Sequence, residues 1–225
     1  LMNRDREPGV VLGSEPSPFS ILLRRFNVFE PRTVKLKDNQ KVHIRAMKSE
    51  DLEESFAFFR ALPEENRLSL RRDMTIREVI EGRIREMEEG AVKRLVAIAD
   101  GKIVADGALE FSHFGWERHV AELRLFVATP YQRKGLGMLM AGALYDLASS
   151  AGIEEIVVKM MASQTAALRI FHKLGFRHEV VLRDYVKDMK GTRKDLVLMR
   201  CRLEDLWQKY EDFVHDTDMR SFSME

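Results

Sequence analysis

The sequence has little of several features that would narrow its class. It contains a single cysteine, which excludes an internal disulfide and is typical of a reducing compartment. No apolar run approaches about 20 residues, so we expect no membrane span. The 37 Lys and Arg residues nearly balance the 36 Asp and Glu residues, so net charge does not favour nucleic acid as a partner. The first residues lack the basic, apolar and small-residue order of a signal peptide, and we expect a cytoplasmic protein.

Metal and thiol chemistry are also disfavoured. The six histidines are scattered without the close ligand spacing of a metal site, and we expect no metal. Cys201 lies in an apolar, alternating stretch. We interpret it as a core residue rather than a nucleophile.

The order of the apolar patterns predicts an α+β fold with one central sheet. Residues 1–32 are rich in Pro, Gly and Ser, which predicts an irregular N-terminal arm. Residues 33–203 alternate between strand and helix patterns, with most strands paired in hairpins and one strand–helix–strand unit. This order predicts a mixed, mostly antiparallel sheet flanked by helices. Residues 204–225 are predicted to form an added C-terminal amphipathic helix and tail.

Local signals place the helices and turns within that domain. Ser49, followed by acidic residues, is expected to cap a helix to about residue 61, with Leu52, Phe56 and Phe59 facing inward. A second helical region is expected over 65–89, where apolar residues recur at helical spacing. Hairpin turns are predicted at residues 38–40, 100–101 and 190–191.

The tail carries an amphipathic pattern over residues 203–214. Apolar residues recur there at i, i+3, i+4 and i+7, namely Leu203, Leu206, Trp207, Tyr210, Phe213 and Val214. Such a stripe must be buried. It covers either its own domain or a second subunit, and of the two we favour a homodimer.

The most informative stretch is ELRLFVATPYQRKGLGMLM, residues 122–140. An apolar strand ends in a polar turn, and a helix follows two closely spaced glycines. The first N–H groups of a helix have no intrahelical partner, and the helix dipole adds partial positive charge there. Gly135 and Gly137 permit close approach to the backbone, while Arg133 and Lys134 add cations. The stretch therefore predicts a phosphate or pyrophosphate site.

Two common phosphate motifs do not fit this stretch. A P-loop requires G-x-x-x-x-G-K-[ST], which is absent. A dinucleotide fingerprint requires a third glycine where this chain has Met140. A plain strand-to-helix loop with solvated cations is the alternative to an anion site.

The motif Gln132-x-x-Gly135-x-Gly137 after an apolar strand resembles the signature of the GNAT superfamily of CoA-dependent acyltransferases. The later segment IFHKLGF resembles a second conserved segment of that family, and the order of elements over 33–203 agrees. Residues 36–67 and 185–199 further resemble the acetyltransferase domain of bacterial protein-lysine acetyltransferases. The resemblance covers about three-quarters of the chain.

The resemblance implies a GNAT fold and acetyl-CoA as co-substrate. It places the pyrophosphate on the glycine turn and the pantetheine arm beside the preceding strand, where the arm would bond main-chain groups. The segment before IFHKLGF would contact the same arm. The cofactor-binding residues that it implies are Phe126, Val127, Gln132, Arg133, Lys134, Gly135, Leu136, Gly137, Met138, Gln164 and Phe171.

Glu122 is the candidate general base. By resemblance it matches a strand glutamate that deprotonates the amine in several family members, directly or through water. Strand alternation puts it on one face with Arg124 and Phe126. The alternative, left open by the sequence, is a surface carboxylate paired with Arg124.

The sequence departs from the family pattern at the expected proton donor. The family often has Tyr where this chain has Phe171, and Gln164 replaces a usual Asn. Either another donor protonates the leaving thiolate, or the thiolate leaves without help. The donors that the sequence offers are Tyr131, Ser163, His172 and Tyr185.

The resemblance implies an N-acetyltransferase in which a primary amine attacks the thioester directly in a ternary complex. A protein lysine is the first expectation for the acceptor, and a small amine is the second. The alternative is a non-catalytic acyl-CoA-binding sensor, which Phe171 supports and Glu122 opposes.

Overall fold

A single eight-stranded sheet organises the chain in the computed structural model, which describes residues 29–112 and 115–205. Its strand order is β1-β2-β3-β4-β5-β6-β8-β7. Neighbouring strands are antiparallel except for β5 and β6, which are parallel. The strands are β1 (Arg32–Lys35), β2 (Lys41–Ala46), β3 (Val92–Ala99), β4 (Lys102–Phe111), β5 (Val120–Val127), β6 (Glu155–Met161), β7 (Arg177–Lys187) and β8 (Arg193–Arg202). The predicted α+β fold with a mixed, mostly antiparallel sheet is confirmed.

Helices cover both faces of this sheet. They are α1 (Leu52–Arg60), α2 (Glu64–Leu68), α3 (Arg77–Glu88), α4 (Leu136–Ser150) and α5 (Thr165–Lys173). Phe59 of α1 and Ile80 of α3 pack with Val96 on one face. Met140 of α4 packs with Leu95 on the other, and α5 joins it there. Successive residues of β3 therefore feed two separate cores, as strand alternation requires.

The hairpin turns form where the sequence predicts them. Asp100 and Gly101 both adopt positive φ, at 49° and 73°, which is the geometry of a type I′ turn between β3 and β4. Positive φ also occurs at Asn39, between β1 and β2, and at Gly191, between β7 and β8.

The start of the first helix differs from the prediction. Ser49 does not cap it, because its hydroxyl donates to Glu88 at 2.5 Å. Asp51 instead accepts the Lys48 N–H at 2.8 Å and a bidentate pair of bonds from Arg45. Phe58, rather than Phe56, joins Phe59 in the core.

The helix expected over 65–89 is broken into α2 and α3. Between them, the Asp73 carboxylate accepts the N–H of Thr75 at 2.9 Å and its hydroxyl at 2.6 Å. Such a local side-chain bond competes with helical hydrogen bonding. The chain turns there, and Ile76 is exposed rather than buried.

Most of the two terminal segments lies outside the described residues. Of the predicted arm, only residues 29–32 are described, and Phe29 packs against the core. Of the predicted tail helix, only residues 203–205 are described; Leu203 is buried and donates its N–H to Glu154. Among the described helices, none is long and apolar enough to cross a membrane.

Candidate functional site

The sheet splits open between β5 and β6. The two strands pair at only three positions, from Val120 with Glu155 to Glu122 with Val157. Beyond them β5 follows β4 as far as Val127, while β6 follows β8 as far as Met161. The strands diverge, and a cleft lies between them. Residues of both strands line it, including Leu123, Leu125, Val158 and Met160.

The hydrogen-bond pattern identifies which main-chain groups face this cleft. Ala128 donates its N–H to Val104 of the neighbouring segment at 2.9 Å. In an antiparallel pair the residues that bond the partner strand alternate with those that face away. Phe126 therefore bonds β4, while Leu125 and Val127 turn their N–H and C=O groups to the open side. Near Phe126 and Val127, the main-chain groups open to a cofactor arm are therefore those of Leu125 and Val127, while the Phe126 side chain lines the cleft.

One side chain closes part of this open edge. Gln132 donates its amide N–H to the Val127 carbonyl at 2.9 Å. The bond satisfies an acceptor that has no strand partner. It also ties the polar turn to the end of β5, so Gln132 positions the turn in this structure.

The glycine turn has the geometry of an anion site. Gly135 has φ of 90° and directly precedes α4, so the first N–H groups of the helix are directed toward the turn. A Cβ built on Gly137 would meet nothing within 4 Å, which leaves space beside that N–H. Leu136 is fully buried and so offers only its main chain, while Met138 packs partly against the core.

The cations of the turn differ in their surroundings. Lys134 binds Asp38 at 2.6 Å and lies over the Tyr131 ring, and hydrogen bonding to Lys134 lowers the pKa of the Asp38 carboxyl. Lys134 also accepts the N–H of Lys37 at 3.1 Å, so the β1–β2 turn fixes this loop. Arg133 is exposed and has no ion pair among the described residues. Lys134 is thus held in place by Asp38, while Arg133 is the cation of this turn that remains exposed.

Gln164 and Phe171 both lie on the cleft wall. The Gln164 side-chain oxygen accepts the Met161 N–H at 2.9 Å, just before α5. Phe171 is 7% exposed, and its ring lies edge-on to Phe176 with the ring centroids 5.1 Å apart. Their predicted places beside the cofactor arm are compatible with these positions.

None of the four candidate proton donors lies on the cleft wall. Tyr131 accepts a hydrogen bond from Gln40 at 3.1 Å, and its ring lies beneath Lys134. Ser163 and His172 are exposed, and Tyr185 is 66% exposed. The structure therefore supports none of them as the acid for the leaving thiolate.

Glu122 is surrounded by cations. One of its oxygens binds Arg71, the other binds Lys159 at 3.0 Å, and Arg124 lies 3.7 Å away. Burial would raise the pKa of this carboxyl, but the charges and hydrogen bonds of Arg71 and Lys159 outweigh burial. Its pKa therefore lies below the usual value, and Glu122 is ionised across the neutral range.

The surroundings of Glu122 fit neither sequence-based interpretation fully. Its side chain is only 15% exposed, so it is not a solvated surface carboxylate. The cleft is lined by its ion-pair partners Arg71, Arg124 and Lys159 rather than by Glu122 itself. Arg71 was missed because residues 69–76 are expected to be helical; Lys159 was missed because its contact with Glu122 is long-range.

A second cluster of charges is buried at the same cleft, with Arg83 and Arg94 among its lining residues. Asp106 binds Arg83 at 2.8 Å and Arg94 at 3.5 Å, and Arg83 stacks on Phe59 at 4.4 Å. Burial lowers the pKa of Arg94 to about 10. The Arg94 Nε has no hydrogen-bond partner among the described residues. The sequence does contain a signal for this cluster, because Arg94 alternates with apolar residues of β3 that face inward. An arginine at such a core position requires a buried partner.

Residues 52–176 match the family model described as Acetyltransferase (GNAT) family. The chain belongs to this family. That match includes the split strand β5, the glycine turn and helices α4 and α5, which together form the cleft. In the described part of this GNAT chain, no three potential metal ligands cluster.

Known GNAT proteins resemble the chain in sequence and fold. It is 27% identical over 106 residues to "[Ribosomal protein bS18]-alanine N-acetyltransferase" of Escherichia coli strain K12, a match that spans 47% of this chain and 63% of that protein. Mycobacterium smegmatis RimJ in complex with CoA-disulfide superposes with a TM-score of 0.69, at 18% identity, over 83% of this chain and 94% of that one. The GNAT domain of S. lividans PAT superposes with a TM-score of 0.64, at 14% identity, over 76% and 96%.

Proposed function

We propose that the protein is an acetyl-CoA-dependent N-acetyltransferase that transfers the acetyl group directly to a primary amine in a ternary complex. The observation that carries this proposal is the split between β5 and β6, which leads to the anion site at the start of α4. An open strand edge that leads to a helix N-terminus is complementary to coenzyme A, which has amides at one end and phosphates at the other.

The cofactor would complete the sheet. Its pantetheine amides pair with the open main-chain groups of Leu125 and the N–H of Val127, and its pyrophosphate lies on the N–H groups that follow Gly135. The thioester then lies near the point where β5 and β6 diverge. A main-chain N–H at that point would polarise the thioester carbonyl. Gln164 and Phe171 flank the arm from α5.

Glu122 is the proposed base, with a requirement set by its surroundings. An amine of pKa near 10.4 is mostly protonated at neutral pH and must lose a proton before attack. Glu122 reaches the amine through a bound water once the acceptor has displaced Arg71 from its oxygen. Its lowered pKa makes it a weaker base than an ordinary glutamate.

No side chain is assigned to protonate the leaving thiolate. Phe171 has no proton to donate, and the four candidate donors lie off the cleft. A thiol of pKa near 8.5 leaves without general acid catalysis at some cost in rate.

The first choice of acceptor is an amine on a protein, and a small amine is the second. The resemblance to bacterial protein-lysine acetyltransferases supports a lysine, and the name of the E. coli relative supports an N-terminal alanine.

The test combines binding with turnover. Calorimetry should show coenzyme A binding, and mass spectrometry should show acetylated products in a panel of proteins, peptides and amines. Coenzyme A release can be followed with a thiol reagent, because Cys201 is 3% exposed and burial raises the pKa of its thiol to about 12. Binding without acetylation of any panel member would favour a non-catalytic acyl-CoA-binding module instead.

A further inference from the structure

The wall of the β5–β6 cleft is strongly cationic. Six positively charged side chains line it, all on or beside the sheet face that packs against α1 and α3. They are Arg71, Arg72, Arg83, Arg94, Arg124 and Lys159.

The carboxylates around them do not balance this charge. Four are in contact: Glu86 binds Arg72 at 2.5 Å, Glu110 binds Arg124 at 2.6 Å, and Asp106 and Glu122 are each shared between cations. Each of the six cations contacts a carboxylate, but six cations share four carboxylates, which leaves this set of described residues with a net charge of +2. Arg94 is 5% exposed and its Nε makes no hydrogen bond there, so the site holds a buried donor without an acceptor.

The phosphates of a bound cofactor do not account for these cations. The anion site lies at the start of α4, which packs on the opposite face of the sheet. Along β5, Arg124 precedes Val127 by three residues, which is roughly 10 Å in a strand. The cations therefore surround the place where the acceptor, rather than the pyrophosphate, would enter.

Resting on the proposed function, we propose that the acceptor is an amine that carries a carboxylate close to the amino group to be acetylated. A cleft lined by one sign of charge concentrates ligands of the opposite sign. An approaching ammonium group alone would meet repulsion from the net positive charge of this cluster, whereas a carboxylate on the same molecule would offset that charge. This selects against polyamines and lysine-rich segments.

Arg71 and Arg72 are the groups placed to make this contact. They lie on the turn between α2 and α3 with side chains 38% and 47% exposed, so a ligand can reach them. A guanidinium presents its donors in a fork that matches a carboxylate.

The first experiment compares acceptors that differ only in the carboxylate. Suitable pairs are L-ornithine against putrescine, and peptides with Asp against Asn beside the acceptor amine. Coenzyme A release should show kcat/KM at least tenfold higher for the carboxylated member, and the ratio should shrink as ionic strength rises. Equal or higher values for the neutral or decarboxylated members would overturn the inference and leave the proposed function standing. No acetylation in either set would refute both.

The second experiment tests the cation itself. Arg72→Gln should raise the KM of the carboxylated acceptor at least tenfold while kcat and the KM of acetyl-CoA stay within about twofold. Arg60→Gln is the matched control, because Arg60 is an exposed arginine on α1 that stacks on Phe56 away from the cleft. An unchanged acceptor KM in Arg72→Gln, or an equal change in Arg60→Gln, would contradict the assignment.

Discussion

Glu122 forms ion pairs with Arg71, Arg124 and Lys159. These ion pairs determine how replacing its carboxylate should affect stability and turnover. Its pKa is lowered by Arg71 and Lys159 despite burial. A group with a lowered folded-state pKa stabilises the fold above its ordinary pKa and loses that contribution as pH falls through the folded value. At neutral pH both its charge and its ion pairs are therefore fully present.

Glu122→Gln should lower kcat roughly 10²-fold at neutral pH, since it removes the proton acceptor and keeps the shape. The defect should shrink as pH rises toward the amine pKa, because more of the amine is then already neutral. The acidic limb of the wild-type rate profile should follow the amine rather than Glu122, which stays ionised. Steady-state kinetics from pH 6 to pH 9.5 checks this prediction.

Glu110→Gln is the matched control for that variant. Glu110 lies directly across from Glu122 in the β4–β5 register and binds the same Arg124, but among the described residues it forms no ion pair with Arg71 or Lys159. Its turnover should remain within about threefold of wild type. A Glu122→Gln enzyme with full activity would assign Glu122 to holding Arg71 and Lys159 in place.

Phe171→Tyr should preserve coenzyme A binding and raise turnover by up to about tenfold. The ring already lies on the cleft wall, and the added hydroxyl can donate a proton to the leaving thiolate. Phe171→Leu, which fills similar space without a hydroxyl, should show no such gain. A Tyr variant that binds coenzyme A normally but turns over more slowly would show that its hydroxyl does not reach the sulfur.

At the scale of elements, helix α4 combines two functions. Its first turn forms the anion site, while its length packs on the sheet through Met140 and Leu144. Gly137 lies in the anion site, whereas Gly107, on β4 beneath the helix, allows the helix to pack closely on the sheet. The two can be altered separately.

Gly137→Ala should uncouple coenzyme A binding from stability. Nothing lies within 4 Å of the new Cβ, and Ala is favoured over Gly in a helix. The free energy of unfolding should therefore stay the same or rise by about 0.5–1 kcal/mol. The methyl group would occupy the space of the anion, so affinity for coenzyme A should fall at least tenfold. Urea titration and calorimetry measure the two effects.

Gly82→Ala provides the comparison, since Gly82 lies inside α3 with only an ordinary contact at 3.8 Å. It should gain similar stability and bind coenzyme A normally. Undiminished binding by Gly137→Ala would remove the basis for placing the pyrophosphate on this turn.

Gly107→Ala should destabilise the fold by about 1–3 kcal/mol through overpacking. Its Cβ would lie 2.8 Å from Leu144 Cδ1 and 3.2 Å from Met140 Cε, so these two side chains would have to move within a packed core. Combining it with Leu144→Ala should cost less than the sum of the two single changes. Strict additivity in urea unfolding would show that the two positions do not compete for space.

At the scale of the whole molecule, local patterns predicted most of the architecture and long-range contacts did not follow from them. The hairpins and the glycine turn are encoded within a few neighbouring residues. The ion pair of Glu122 with Arg71 joins residues 51 positions apart, so no local pattern could show it. The break at Asp73 was missed because the apolar spacing around it mimics a continuous helix.

A chain ending at Asp205 should be monomeric if the tail mediates a homodimer, while the full chain should be dimeric. The apolar stripe over 203–214 gains free energy on burial, and ending after Asp205 keeps Leu203 in the core. Light scattering on both proteins at high micromolar concentration measures this. A monomeric full chain would mean that the stripe is buried on its own domain.

The split between β5 and β6 also has a consequence for amide exchange in deuterated water. The N–H groups of Leu125 and Val127 have no strand beside them, so in the coenzyme-free protein they should exchange quickly although they lie in the middle of a sheet. The N–H of Phe126, which bonds β4, should exchange slowly throughout. Coenzyme A would act as an interposed strand and slow exchange at both open positions. An alternating pattern of labelling along β5 that levels out on binding would thus record the sheet being closed by its own co-substrate.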